Sequence, residues 1–219
     1  MSTLEKLKTL KELYICRSIG FEYYKESKEI RSEPNTYIPN GMDELKHMVL
    51  KCYLCQLCKG RKNVVFGEGN IKAKLMFIGE GPGANEDASG RPFVGQAGQL
   101  LTRIIENVLQ LKRDDVYIAN IVKCRPPQNR APTYEEASVC RPYLLKQIEL
   151  INPAVIVALG STAFRYLTDD ETPISRVRGE IIQYKNTKLI PTFHPSFLLR
   201  TPSAKKDVWH DMLKVKDLL

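Results

Sequence analysis

The sequence predicts an α/β fold: a short, mainly parallel sheet covered by helices on both faces, in three layers α/β/α. Three observations carry this. Apolar runs of strand length occupy residues 74–78, 116–122 and 154–160. Segments with helical apolar spacing alternate with them, over residues 96–110 and 134–151 and from Ser161 onward. Glycines and prolines punctuate the joins. Strands that alternate with helices pair in parallel and need cover on both sides, so their carboxyl ends share one edge.

The chain has 219 residues, 43% hydrophobic and 26% charged, which is globular and long enough for a real core. Thirty-three Lys and Arg against 25 Asp and Glu leave a net charge of +8, which fits an anionic partner, nucleic acid first. No run approaches the roughly 18 to 20 apolar residues of a membrane span. The charged N-terminal segment lacks the apolar centre of a secretory signal. A cytoplasmic location is therefore expected, and the six cysteines point to metal or free thiols rather than disulfides.

Taken in order, residues 3–17 carry leucines at helical spacing and predict an amphipathic helix. A polar stretch broken by Pro34, Pro39 and Gly41 follows, so residues 1–41 read as a helical extension and 42–219 as the main domain. Asp43 starts a second helix running into Cys52. The strand at 74–78 leads into the glycine-rich stretch Gly79–Gly98, GEGPGANEDASGRPFVGQAG. After the helix at 96–110 comes the strand at 116–122 and a proline-broken basic loop, KCRPPQNRAP. The helix at 134–151 contains Cys140, and the strand at 154–160 gives way to a short helix. A hairpin around Lys185-Asn186 has its second strand at 189–193, ending at His194, and a last helix covers 203–218. Glu80, Asn120 and His194 each follow or finish a strand, so all three belong at one edge of the sheet.

Gly79–Ala84 also satisfies the GxGxxG/A pattern of a dinucleotide-binding turn. The context is wrong for it: a polar loop rather than a helix is expected after Gly83, and no strand ends in an acid about twenty residues on. Among the cysteines, Cys52, Cys55 and Cys58 stand at three-residue spacing, while Cys124 and Cys140 lie far downstream. Such a set can hold zinc or an iron–sulfur cluster, and spacing leaves both open.

Four motifs, VVFGEGN, GEGPG…EDxxGRPFVGxAGxLL, NIVKCRPPQNRAP and HPSxLLR, resemble the family 4 uracil-DNA glycosylases, the iron–sulfur type, over about Cys52 to Arg200. The resemblance implies the uracil-DNA glycosylase-like α/β/α fold and removal of uracil from DNA as a monomer. It also implies downstream enzymes that receive the abasic product, and a sliding clamp is a candidate partner. It implies a [4Fe–4S] cluster on Cys52, Cys55, Cys124 and Cys140, with Cys58 an extra thiol, although a Cys55/Cys58 register also fits the spacing. It places Glu80 at the water or the sugar cation, His194 on the leaving base, and Asn120 on the base edge. Phe93 would stack on the base, Glu86 would crowd its C5 position, and Gly81 would let it approach backbone. Leu198 would be the minor-groove wedge, with Ser196 and Arg200 on phosphate; Lys123, Arg125, Arg130 and Arg178 are further phosphate candidates. The chain departs from the family at Ala84 and Asn85, where acids are usual.

Overall fold

The computed structural model describes residues 38–219, which form one compact unit. The helix expected over 3–17, and nearly all of the extension, lie outside the described residues. The described chain runs α1 (Met42–Leu50), β1 (Glu68–Gly69), β2 (Leu75–Gly79), α2 (Ala84–Ser89), α3 (Gln96–Ile104) and β3 (Tyr117–Asn120). It continues with α4 (Tyr134–Ile151), β4 (Val155–Leu159), α5 (Ser161–Thr168), α6 (Ile174–Val177), β5 (Ile182–Tyr184), β6 (Thr187–Thr192), α7 (Pro195–Arg200) and α8 (Lys205–Lys216).

The six strands order as β1-β3-β2-β4-β6-β5. The central four are parallel, and the short edge strands β1 and β5 are antiparallel to their neighbours. β2, β3 and β4 are buried along their whole length, so both faces must be covered. Alternation along each strand sorts the core into two layers. Met76, Ile78, Ala119, Ile156, Ala158 and Leu189 pack with α1, α4 and α5, while Leu75, Phe77, Ile118, Val155, Val157 and Ile190 pack with α3, α7 and α8. This is the three-layer α/β/α sandwich.

Local sequence explains the boundaries. Thr133 and Glu136 form a capping box at the start of α4: Glu136 N donates to Thr133 Oγ1 at 3.3 Å and Thr133 N to Glu136 Oε2 at 2.9 Å. Asn152 ends that helix in the left-handed region at φ 49°. The helix expected over 96–110 is continuous but widens to π winding over Ile105–Leu109. Pro191 sits inside β6 opposite Ala158 without breaking the sheet, because β5 pairs with β6 only as far as Leu189. The strand expected over 116–122 is shorter, since Ile121 N and Val122 N turn to the carbonyls of Gly79 and Glu80.

One expectation fails. The stretch after Gly83 is not a polar loop but helix α2. Gly90, at φ 73°, closes it.

Candidate functional site

The register of the parallel strands decides what meets at the edge. Gly79 of β2 stands beside Asn120 of β3, and Leu159 of β4 beside Thr192 of β6. The residues just beyond these ends surround a cavity of about 670 Å³. Glu80, Gly81, Glu86, Phe93, Asn120, His194, Ser196 and Arg200 all line it. Of the residues expected at the pocket or on DNA, Leu198 and the phosphate candidates Lys123, Arg125 and Arg178 are absent from its wall.

His194 is the N-cap of α7. Its Nδ1 accepts from Ser196 N at 3.1 Å and lies 2.8 Å from Ser196 Oγ. A ring nitrogen that accepts from a backbone N–H carries no proton, so the network assigns the neutral ring's hydrogen to Nε2. Burial, and then the positive charge of Arg200, push this imidazole down to about 4. It is therefore neutral around pH 7 and offers one donor, Nε2–H. The ring of Phe93 packs beside it, with centroids 5.7 Å apart and planes at 37°.

Asn120 is 1% exposed, and its Oδ1 has no hydrogen-bond partner. A buried amide oxygen without a partner is costly, and here it borders a cavity, so a ligand donor satisfies it best. Gly79 makes room for this arrangement. A Cβ there would lie 2.5 Å from both Asn120 Oδ1 and the Phe93 ring.

The loop from Gly79 to Gly98 is pinned by its own acids. Glu86 Oε2 accepts from Gly83 N at 3.1 Å, and its Oε1 accepts from Val94 N at 2.9 Å and Gly95 N at 2.8 Å. Asp87 is buried and accepts from Lys62 N at 2.8 Å and Asn63 N at 3.3 Å. Phe93 is held at φ 51°, and a side chain at Gly98 would overlap the Phe93 backbone. The dinucleotide alternative gains a helix after Gly83 but loses its anion site. The first turn of α2 is already capped by the carboxylate of Glu86, where a phosphate would have to sit.

The expected wedge is corrected. Leu198 is 1% exposed and packs in the core beneath α7. One turn of helix explains it: positions 196, 197 and 200 fall on the cavity side and 198 on the opposite side. Phe197 lines the cavity and stacks on Phe193 at 4.8 Å. Three of the phosphate candidates are also spoken for. Lys123 is fully buried, Arg130 pairs with Glu136 at 2.7 Å, and Arg178 pairs with Asp211 at 2.6 Å. Arg200 remains exposed at the mouth.

A second, smaller cavity is lined by Cys52, Cys55, Cys58, Cys124 and Cys140, all free thiols. Arg61 Nη1 donates to Cys124 Sγ at 3.1 Å, Lys123 N to Cys140 Sγ at 3.4 Å, and Tyr143 OH to Cys52 Sγ at 3.8 Å. Burial raises the thiols of Cys55, Cys124 and Cys140, the last to about 12. Neighbouring Cys55 and Cys52 add to the effect at Cys124, and Cys124 and Cys52 at Cys140. Among the described residues, no three His, Cys, Asp or Glu side chains converge on one metal ion.

The family model for the uracil DNA glycosylase superfamily matches residues 66–213. The type-4 uracil-DNA glycosylase of Thermotoga maritima is 50% identical over 182 residues, covering 81% of this chain and 94% of that protein. The chain belongs to the type-4 family of the uracil-DNA glycosylase superfamily. The type-4 enzymes of Saccharolobus solfataricus and Sulfurisphaera tokodaii are 47% and 43% identical, each over 82% of this chain and over 87% and 85% of theirs.

Within this glycosylase fold, sequence reasoning passed over Asp87, Gln147 and Phe197. Asp87 and Gln147 act through backbone groups that only the fold brings near, so the chain alone carried no signal for them. For Phe197 there was one: a helix starting at Pro195 turns position 198 away from His194's pocket.

Proposed function

We infer that the protein is a uracil-DNA glycosylase acting in base-excision repair: it hydrolyses the bond between uracil and deoxyribose in DNA and leaves an abasic site. The observation that carries this is the pairing, across one cavity, of a buried unpartnered Asn120 Oδ1 with a neutral imidazole whose free nitrogen is Nε2. Uracil presents an N3–H donor flanked by two carbonyl acceptors. The Asn120 amide complements N3–H and O4, while cytosine offers the opposite polarity at that edge.

The base must leave the stack to enter such a pocket. The C1′–N1 bond then breaks with its electron pair going to uracil, water adds at C1′, and the proton that water loses neutralises the departing uracil anion by way of solvent. Charge develops in two places, a cation on the sugar and an anion on the base. The carboxylate of Glu80 serves the first, and His194 Nε2–H, donating to O2, serves the second. A neutral imidazole suits this role because it donates a hydrogen bond without giving up a proton. Phe93 stacks on the base, and Gly81 lets it lie against backbone. Glu86, immobilised by three amides, forms a rigid wall at C5 that excludes a methyl group. Arg200 takes phosphate. Ser196 is occupied with His194, so it orients the imidazole first. Phe197, not Leu198, is the apolar group at the mouth that fills the space left by flipping.

Cys52, Cys55, Cys124 and Cys140 would hold a [4Fe–4S] cluster, with Cys58 as an additional thiol. The three N–H and O–H donors aimed at sulfur are what anionic thiolate ligands require. Through these cysteines the segment after α1, the start of the basic loop and α4 would be tied together on binding the cluster, and hydrolysis would ask no electrons of it. The protein would act as a monomer on uracil-bearing DNA, at the nucleoid. Downstream enzymes would take the abasic product.

The test is incubation of cluster-loaded protein with a uracil-containing oligonucleotide, scored for free uracil and alkali-labile sites. Release of uracil, abolished or strongly slowed in His194→Ala and Glu80→Ala, is the expected result. A folded, iron-replete protein that leaves the oligonucleotide intact would sink the assignment.

A further inference from the structure

Lys123 is 1% exposed, and its ammonium lies in the core rather than in water. Burying such a charge costs several kcal/mol unless it is well paired. Its Nζ donates to the main-chain oxygen of Asn120 at 3.0 Å and to Gln147 Oε1 at 2.6 Å. Gln147, itself fully buried, donates onward from Nε2 to Phe66 O at 3.0 Å and to Tyr117 OH at 3.1 Å.

The place where this happens is specific. β1 pairs antiparallel with β3, Glu68 opposite Ile118 and Gly69 opposite Tyr117. Continuing that register by two residues would set Phe66 opposite Asn120, but the ladder stops short of them. Lys123 and Gln147 fill the opening: one satisfies the carbonyl of Asn120, the other the carbonyl of Phe66. The direction of the Asn120 side chain follows from its backbone, and this carbonyl closes β3 at the pocket, on the peptide whose N–H, that of Ile121, bonds Gly79 O at 2.9 Å.

The other side of Lys123 faces the cysteines. Its N–H donates to Cys140 Sγ at 3.4 Å, its carbonyl accepts from Val65 N at 2.8 Å, and the next residue is Cys124. Residues 120–124 thus have the base-reading amide at one end and the cysteine cavity at the other.

We propose that Lys123 is a positioning residue for base recognition, holding the backbone of Asn120 so that its amide meets uracil, and tying that aim to the cysteine-lined cavity. This rests on reading the large cavity as the uracil pocket.

The experiment is a double-mutant cycle on the cluster-loaded protein, with free uracil affinity as the first readout and the KM-against-kcat split on a uracil oligonucleotide as the second. Lys123→Met is expected to weaken uracil binding about tenfold, the order expected when one hydrogen bond loses its alignment, and to do so at unchanged iron content. In an Asn120→Ala background the same substitution should change uracil affinity by less than about twofold, because the group it positions is gone. Gln147→Met, which removes the same strut from its other end, should act in the same direction and serves if Lys123→Met does not fold. Equal effects of Lys123→Met with and without Asn120, or a folded variant with wild-type uracil affinity, would overturn the inference. If Asn120→Ala itself left uracil affinity unchanged, the reading of the pocket would fall instead.

Discussion

Acidification is the sharpest probe of His194. Its imidazole is pushed down to about 4 from an ordinary 6.5, first by burial and then by Arg200. At about 1.4 kcal/mol per unit, the gap corresponds to about 3 kcal/mol. The sign follows from proton counting. Between these two values the unfolded chain binds a proton at this histidine and the folded chain does not. Stability therefore falls as pH drops from about 6.5 to about 4, and this residue contributes no further change below that range. Function has the complementary signature. The ring stays neutral with its hydrogen on Nε2 throughout the ordinary range, so single-turnover uracil release should keep its His194-dependent component until the pH nears 4. Nitrogen NMR of the ring, assigned by loss of the signal in His194→Gln, gives both the titration and the tautomer. The arrangement also predicts that Arg200→Ala moves the midpoint upward. A ring that titrates near 6.5, or that carries its hydrogen on Nδ1, would refute the reasoning.

Gly79→Ala should leave a folded protein with a misplaced Phe93 and Asn120, since the new Cβ starts 2.5 Å from each; uracil affinity, measured calorimetrically, should fall at least tenfold by the loss of those contacts. Glu86→Ala strips three backbone N–H groups of their acceptor and should lower stability by about 3 kcal/mol in urea unfolding, with Glu86→Gln recovering part of it. Cys52→Ser should lose bound iron, whereas Cys58→Ser should keep it, as total iron and visible absorbance would report; the opposite pattern would move the ligand register to Cys55 and Cys58.

The middle of the sheet was legible because β2, β3 and β4 are fully buried, whereas the two-residue edge strand β1 was not foreseen. Runs such as Leu75–Ile78 and Val155–Leu159 have no polar face, and a short run apolar on both sides suits only the middle of a covered sheet. The same logic put Glu80, Asn120 and His194 at one edge before any contact was known. What stayed hidden depended on partners far along the chain. α2 is too short and polar for periodicity to announce it, and it is held by a carboxylate whose acceptor role appears only when Val94 and Gly95 fold back. Lys123 reads as one more surface cation in a basic loop until Gln147, 24 residues on, is seen to receive it. Leu198 was misjudged because a motif gives order but not the helical phase that decides which side chain faces out.

The stapling of the loop between Gly79 and Gly98 has a thermodynamic consequence. Fixing a residue's backbone costs about 1–2 kcal/mol of entropy, and Glu86, Asp87 and the Phe93–Gly98 contact impose that order when the chain folds. A nucleotide arriving later meets a wall that is already rigid. Its binding heat should thus reflect desolvation and hydrogen bonding at the base, with a heat-capacity change no larger than burying one nucleobase requires. Freed of those staples, the same wall would have to be ordered anew at every encounter, and affinity would fall with no contact to uracil removed.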